Sequence, residues 1–351
     1  MSAKISAIIP TYNAGAFLAE TLRSVLGQTR PADEIIVVDD CSTDDSLAVA
    51  KSFNDPRFKI LSTGGNSGSA VARNLGIEAA TGELIAFLDG DDLWLDRHLE
   101  IVAGLLEAHP TASLAFSSTE AFGSEQWTWP MVLPANQPVN CFWECIPRTI
   151  IPQMNVVVRA AALRDIGGYR TTLRQTQDFD LFLRLSYRHP FVCTHAVTSR
   201  YRRHATSITW LKPRNSIRGQ YVARHLFWSE NKSSMPPEIL RKYELAMKEV
   251  WVNHLAACAN RLDFDMLNFH VEQFLLIPGA EEPYRNWRRQ RRIDRVKRLG
   301  KALPRPLRQA LKRIWGSAGF RAAPLHVVHR EDASRHTLPA ASLRYDDDVS
   351  I

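Results

Sequence analysis

Through the first hundred residues, short apolar runs rich in Ile and Val alternate with segments of helical spacing, the pattern of a parallel sheet covered by helices. Residues 5–9 form the first run, ending at Pro10-Thr11-Tyr12-Asn13. The helix predicted next, over residues 16–28, sets Phe17, Leu18, Leu22, Val25 and Leu26 at helical spacing. Residues 34–38 predict a second strand closed by Asp39-Asp40, with Thr43 or Asp44 to cap a helix reaching about Phe53. A third strand is expected at 58–61. The glycine turn at 64–68 then leads into a helix carrying Arg73 and Asn74, and a fourth strand at 84–88 ends in Asp89-Gly90-Asp91-Asp92. Polar residues therefore collect at the carboxyl ends of successive strands, the edge where open α/β sheets bind ligands.

Beyond residue 110 the pattern is more mixed. Strands are expected at 113–117, 155–158 and 191–197, with a Trp- and Pro-rich connection at 127–138 and a strong helix at 179–187. The last strand leads to Tyr201-Arg202-Arg203-His204. From about Leu211 helical patterns dominate, with 221–228 and 237–276 reading as a helical appendage, and the residues after Ser317 read as loosely structured. No internal repeat or low-complexity run interrupts the chain.

With 351 residues and 45% hydrophobic content, the chain can build one large or two ordinary domains. Charge changes this picture more than size does. The formal net charge is +7, but residues 284–315 hold thirteen Lys and Arg against Asp294 alone, a local charge of +12 that leaves the remainder at −5. Nucleic-acid binding would have to rest on that one segment, and no nucleic-acid partner is expected. Ile293, Val296, Leu299 and Leu303, then Leu307, Leu311, Ile314 and Trp315, recur at helical spacing on either side of Pro304 and Pro306. An apolar stripe edged by cations suits an anionic membrane surface, so residues 285–315 are expected to dock on one; the competing reading is a solvated helix packed on the main body. No run is long and apolar enough to span a bilayer, and the start lacks a cleavage-site pattern, so a soluble or peripheral cytoplasmic protein is expected. Five scattered cysteines predict reduced thiols; Cys141 and Cys145 share a helix face but lack the second pair of a zinc site.

Three carboxylates within Asp89-Gly90-Asp91-Asp92 repel one another unless a cation or solvent relieves them. Such a cluster suits a hard divalent ion, Mg²⁺ or Mn²⁺, completed by phosphate oxygens, or else a solvated acidic turn with Asp92 as a cap. Asp39-Asp40 and Pro10-Thr11-Tyr12-Asn13 would share its edge, where Tyr12 could stack on a base and a carboxylate accept its ring N–H. Each alone is also ordinary turn chemistry. Arg73 reads either as a diphosphate contact or as a surface ion pair. Asp178, at the mouth of the 179–187 helix, is a helix cap or a general base, and His204 a metal or phosphate contact or a packed side chain. Dinucleotide, Walker and nucleophile-elbow motifs are absent, which removes support for oxidoreductase, P-loop and hydrolase chemistry.

In their order these segments resemble the inverting nucleotide-sugar glycosyltransferases of family 2, which have the α/β GT-A fold. The likeness runs from Ile8-Ile9-Pro10-Thr11-Tyr12-Asn13 through Val37-Val38-Asp39-Asp40-Cys41-Ser42-Thr43-Asp44 and Ala72-Arg73-Asn74 to Asp89-Gly90-Asp91-Asp92. It covers about residues 4–206 and is strongest up to Leu99. It implies a mostly parallel central sheet flanked by helices, with a Rossmann-like nucleotide-binding half and a helical C-terminal appendage. The expected division is a catalytic domain at 1–208, the appendage at 209–283, the basic amphipathic segment at 284–316 and a tail at 317–351.

The resemblance also implies roles. Pro10, Thr11, Tyr12, Asn13, Asp39, Asp40, Arg73, Asp89 and Arg202 would bind the donor, a nucleoside-diphosphate sugar, with UDP-sugars expected first. Asp89, Asp91, Asp92 and His204 would hold Mn²⁺ or Mg²⁺, and Asp178 would be the catalytic base. The acceptor would be a glycan or lipid-linked hydroxyl in surface polysaccharide assembly. Two positions depart from the family pattern: Gln177 stands where Glu is usual, and Cys41 where Gly is frequent. A nucleotidyltransferase, with a similar acidic site, and a catalytically idle binding protein are the alternatives.

Overall fold

A computed structural model describes residues 2–205 and 213–261. Its strands are β1 (Ile5–Thr11), β2 (Glu34–Asp39), β3 (Phe58–Ser62), β4 (Leu84–Phe87), β5 (Leu93–Trp94), β6 (Leu114–Gly123), β7 (Trp127–Thr128), β8 (Val156–Arg159) and β9 (Phe191–Arg203). The helices are α1 (Gly15–Leu26), α2 (Ser46–Lys51), α3 (Ser69–Ala79), α4 (His98–Ala108), α5 (Phe142–Cys145), α6 (Ala160–Asp165), α7 (Gln177–Arg188), α8 (Pro213–Asn231) and α9 (Pro237–Arg261). All nine strands join one sheet in the order β3-β2-β1-β4-β8-β6-β9-β5, with β7 pairing β6. β3, β2, β1 and β4 run parallel, and β8 enters antiparallel between β4 and β6.

The parallel half follows from its sequence. Every residue of β1 and β2 is buried, as expected of strands covered on both faces. Ile5, Ala7 and Ile9 face a core shared with Leu18, Leu22 and Val25 of α1 and Leu99, Val102 and Leu106 of α4. Each such side chain contributes about 1.5–3 kcal/mol by leaving water. Ile8 points the other way, toward α3, where a Cβ on Gly76 would come within 2.5 Å of its Cγ2.

At the amino edge of the sheet, Glu34 Oε1 accepts hydrogen bonds from Ser6 Oγ (2.5 Å), Thr81 N (2.6 Å) and Thr81 Oγ1 (2.9 Å), while Oε2 pairs with Lys59 at 2.5 Å. Burial opposes its charge, but Lys59, Ser6 and Thr81 outweigh it and bring the carboxyl down to about 2. This node ties β1, β2, β3 and the turn before β4 on the side away from the ligand edge.

Two differences from the sequence reading matter for the site. The expected cap of α2 is a bridge instead: Asp44 Oδ1 accepts Ser46 N–H at 3.0 Å and Oδ2 accepts Gly15 N–H at 2.8 Å, joining the starts of α1 and α2. The last strand does not stop near Val197. It continues to Arg203 because the two-residue β5, immediately after the acidic turn, pairs antiparallel with it at Leu93↔Arg200 and Trp94↔Ser199. That pairing delivers residues 202–204 beside Asp91 and Asp92.

The first compact unit runs to Leu240 and includes α8. Its Arg224 is fully buried, donating to Ile146 O at 2.5 Å and lying 4.7 Å from the Phe179 ring centroid, while Phe227 packs on Phe142 and Tyr187. Among the described residues no helix is long and apolar enough to cross a membrane. The basic segment at 284–316, the tail at 317–351 and the appendage beyond 261 lie outside the described residues.

Candidate active site

The ends of β1 and β2 form one wall. Thr11 is buried, Tyr12 is 43% exposed at the rim, and Asn13 takes φ 49° with its Oδ1 accepting Thr43 N–H at 2.8 Å. Pro10 lies within β1, paired in register with Val38. Asp39 and Asp40 are both buried but differ in use. Asp40 holds the glycine turn: it accepts from Thr63 Oγ1 (2.6 Å), Ser67 N (2.8 Å) and Gly68 N (2.7 Å). Asp39 accepts only the long contacts from Ser42 N–H at 3.2 and 3.3 Å, leaving it more acceptor capacity for a base. Cys41, between them and the loop, does adopt φ 58°, the left-handed conformation glycine would take at less cost.

The acidic turn forms the floor, and its three carboxylates part company. Asp89 Oδ1 accepts from Arg73 Nη2 at 2.5 Å. Asp91 Oδ2 lies 3.0 Å from His204 Nε2. Asp92, expected as a metal ligand, is only 1% exposed; its Oδ1 accepts the Arg202 N–H at 2.8 Å, while Oδ2 is buried with no hydrogen-bond partner among the described residues. Burial, then Asp91 and Asp89, push its carboxyl well above the usual range, with the Arg202 N–H opposing.

Arg202, expected at the donor, is engaged by the protein itself. Its Nε donates to Asp91 O at 2.8 Å, Nη2 pairs with Glu20 at 2.5 Å, and the guanidinium lies between the rings of Phe17 (4.9 Å) and Phe122 (4.5 Å). Phe17 in turn packs on the His204 ring with centroids 4.8 Å apart. The arginine thus fastens α1, the acidic turn and the end of β9 together.

The Asp91–His204 pair offers one carboxylate and one imidazole 3.0 Å apart, donor types that suit a divalent cation, while Oδ1 of Asp89 and Oδ1 of Asp92 are engaged by Arg73 and by the Arg202 N–H. No three His, Cys, Asp or Glu side chains among the described residues form a closed cage, so most of the coordination would come from phosphate and water oxygens. Cys141 and Cys145 sit 4.0 Å apart, buried, and take no part.

Asp178 forms the far wall in the first turn of α7. Its Oδ1 accepts the Phe179 N–H at 2.8 Å, and the side chain is half-buried. Burial raises its carboxyl above the ordinary value, the Phe179 N–H and Arg73 oppose, and Asp89 adds to the rise. The preceding Thr176 sits at φ 60°, an outlier for a β-branched residue and a point of backbone strain beside the acid. Gln177 donates from Nε2 to Ser69 Oγ, linking α7 to the start of α3.

One residue here, Tyr169, was not singled out as a ligand from sequence, whereas the segment Gln153 to Asn155 was expected to help set the donor or acceptor. Tyr169 is 2% exposed, its ring 5.5 Å below the Arg73 guanidinium and edge-on to Phe87 at 5.6 Å. Asn74 fixes its backbone in both directions, donating to Tyr169 O and accepting from Tyr169 N at 2.8 Å each. Gly168, at φ 68°, permits this: a Cβ there would lie 2.7 Å from Asn74 Oδ1. Gln153 opens the turn Gln153–Asn155 and is 6% exposed. The glycine pair before Tyr169 and the Asn after Arg73 were visible signals, but only the fold shows that they meet.

A sheet whose parallel half ends in these carboxylates, crossed by antiparallel β8, is the GT-A architecture of nucleotide-sugar glycosyltransferases. Residues 6–167 match the profile of Glycosyl transferase family 2. It is 43% identical over 117 residues to TuaG of Bacillus subtilis, named for teichuronic acid biosynthesis, covering 33% of this chain and 45% of that one. It is 38% identical over 156 residues to the UDP-Glc:alpha-D-GlcNAc-diphosphoundecaprenol beta-1,3-glucosyltransferase WfgD of Escherichia coli, covering 42% and 61%. The chain thus spans about half the length of these curated relatives. Among solved structures, TarS of S. aureus superposes with a TM-score of 0.56 at 21% identity, covering 72% of this chain and 43% of that one. The mannosyltransferase PcManGT of Pyrobaculum calidifontis, in complex with GDP-Man and Mn2+, gives 0.51 at 18%, covering 91% and 89%. At these identities the structures establish the fold.

Proposed function

We propose that the chain transfers the glycosyl group of a nucleoside-diphosphate sugar to an acceptor hydroxyl with inversion of configuration, Asp178 acting as base. The observation that carries this reading is the placement of Asp178: a carboxyl raised by burial, across Arg73 and Asp89 from the Asp91–His204 pair. Tyr12 would stack on the base and Asp39 accept its ring N–H, with Thr11, Asn13 and Asp40 shaping the pocket. Arg73 would lie along the diphosphate. A Mn²⁺ or Mg²⁺ ion on Asp91 and His204 would supply Lewis-acid neutralisation of the leaving diphosphate. Asp178 Oδ2 takes the proton of the acceptor hydroxyl as its oxygen attacks the anomeric carbon from the opposite face.

UDP-sugars are the first donors to try, since WfgD is named for UDP-Glc and TarS has been solved with UDP-GlcNAc. The acceptor proposed is a lipid-linked or surface glycan, met from the cytoplasmic side. Asp178→Asn should leave nucleotide-sugar binding intact and lower transfer by about 10²–10⁴-fold. In the wild type, the acid limb of kcat should lie above the ordinary aspartate value near ~3.9, because the base works only when deprotonated. Wild-type turnover by Asp178→Asn would remove the aspartate from this role, and a product of retained anomeric configuration by NMR would remove the inverting route.

A further inference from the structure

Around Asp178 the protein keeps six buried polar atoms with no hydrogen-bond partner among the described residues: Nε and Nη1 of Arg73, both amide atoms of Gln153, the Tyr169 hydroxyl and Oε1 of Gln177. The four residues are between 2% and 8% exposed. Leaving such an atom unsatisfied costs its full desolvation, and native folds hold few of them. A cluster gathered in one place is therefore completed by something that binds.

The chemistry of the atoms narrows what that is. Arg73 carries charge and suits phosphate, but Gln153 and Tyr169 are neutral. An amide offers both donor and acceptor, as does a phenol, which matches sugar hydroxyls, each donor and acceptor at once.

Position narrows it further. β8 runs antiparallel to β4 with Ala86 opposite Val157, so the turn carrying Gln153 lies beside the residues leading from β4 into Asp89. Tyr169 lies under Arg73, and its phenol feels the charges of Arg73, Asp178 and Asp89; the Gln153 side chain is near enough to favour its ionised form, although no hydrogen bond of ordinary geometry joins the two. The pair therefore adjoins both the strand end that leads into the acidic turn and, through Tyr169, the base. In a displacement by an activated hydroxyl, the group flanked by both is the ring being transferred.

We infer that Gln153 and Tyr169 read hydroxyl groups of the donor's glycosyl ring and so set which sugar is transferred. This rests on the nucleotide-sugar reading above. A site built on hydrogen bonds discriminates strongly, because a wrong ring leaves its buried polar groups unpaired.

The test is calorimetric, on the full chain with Mn²⁺, using UDP and GDP and then UDP-glucose, UDP-galactose, UDP-N-acetylglucosamine and GDP-mannose. Tyr169→Phe keeps the ring and removes the hydroxyl; Gln153→Met keeps the volume and removes the amide. Both should bind the free nucleotide within about twofold of wild type and lose about tenfold in affinity for the preferred nucleotide sugar, roughly the loss of one well-made hydrogen bond. A nucleotide-sugar to nucleotide affinity ratio unchanged in both variants overturns the assignment while leaving the donor reading intact. Equal losses for nucleotide and nucleotide sugar also overturn it, since they mark a structural role. A wild-type chain that binds none of the six compounds overturns the donor reading and this assignment with it.

Discussion

Arg202 shows how a residue with an obvious ionic role can act through its neighbours. Its guanidinium is held by Asp91 O, Glu20 and two aromatic rings, and its own N–H secures Asp92. It is therefore a positioning residue for Asp91 and His204. Arg202→Met, which retains bulk between Phe17 and Phe122 but removes the donors, should raise the concentration of Mn²⁺ required for half-maximal activity by about tenfold, a change worth roughly 1.4 kcal/mol, with less effect on free-nucleotide affinity measured at saturating metal. An unaltered metal requirement would show that the acidic turn holds its shape without the arginine. Residue-scale chemistry was only partly legible from sequence, since local context left Asp91 between a metal ligand and a solvated acidic turn and Asp178 between a base and a helix cap. The engagement of Asp92 was not legible, because it depends on a hydrogen bond to a residue 110 positions away.

At the scale of elements, the parallel half was readable because each strand is a continuous apolar run closed by its own polar cluster, as in β1 with Pro10-Thr11 and β2 with Asp39. Two-residue β5 left no such signal. Its pairing with β9 is a matter of register between distant segments, yet it is what carries residues 202–204 to the acidic turn. Stability has its own node at the opposite edge, in Glu34. Its carboxyl falls from 4.5 to about 2 on folding, so the unfolded chain binds the proton more readily and stability drains as pH drops from the unfolded value toward the folded one. The contribution is on the order of 3 kcal/mol. Glu34→Gln should lower Tm at pH 7 and flatten its dependence between about pH 4.5 and 2; parallel wild-type and variant curves over that window would place the acid sensitivity elsewhere.

For the whole molecule, the +7 charge is an average of two unlike parts, an acidic body and the +12 segment at 284–315. The helical spacing within that segment suggests an anionic membrane as its partner, which suits an acceptor carried on lipid. Co-sedimentation with phosphatidylglycerol vesicles should be strong for the full chain at low salt, weaken as salt screens the cations, and vanish when residues 284–316 are deleted; equal binding by both forms would refute the segment's role. The fold class was visible in this chain before any coordinates because alternation and strand-end chemistry are local. What stayed hidden was every contact that joins the two halves of the sheet, and Asn74 is the clearest of these. Its side-chain amide, on α3 of the parallel half, grips the backbone of Tyr169 in the antiparallel half through a gap that only Gly168 leaves open. Recombination between related transferases is therefore constrained: a crossover that exchanges one half has to bring compatible residues at positions 74 and 168 together, whereas cuts that keep this pair intact leave the rest of each half free to diverge.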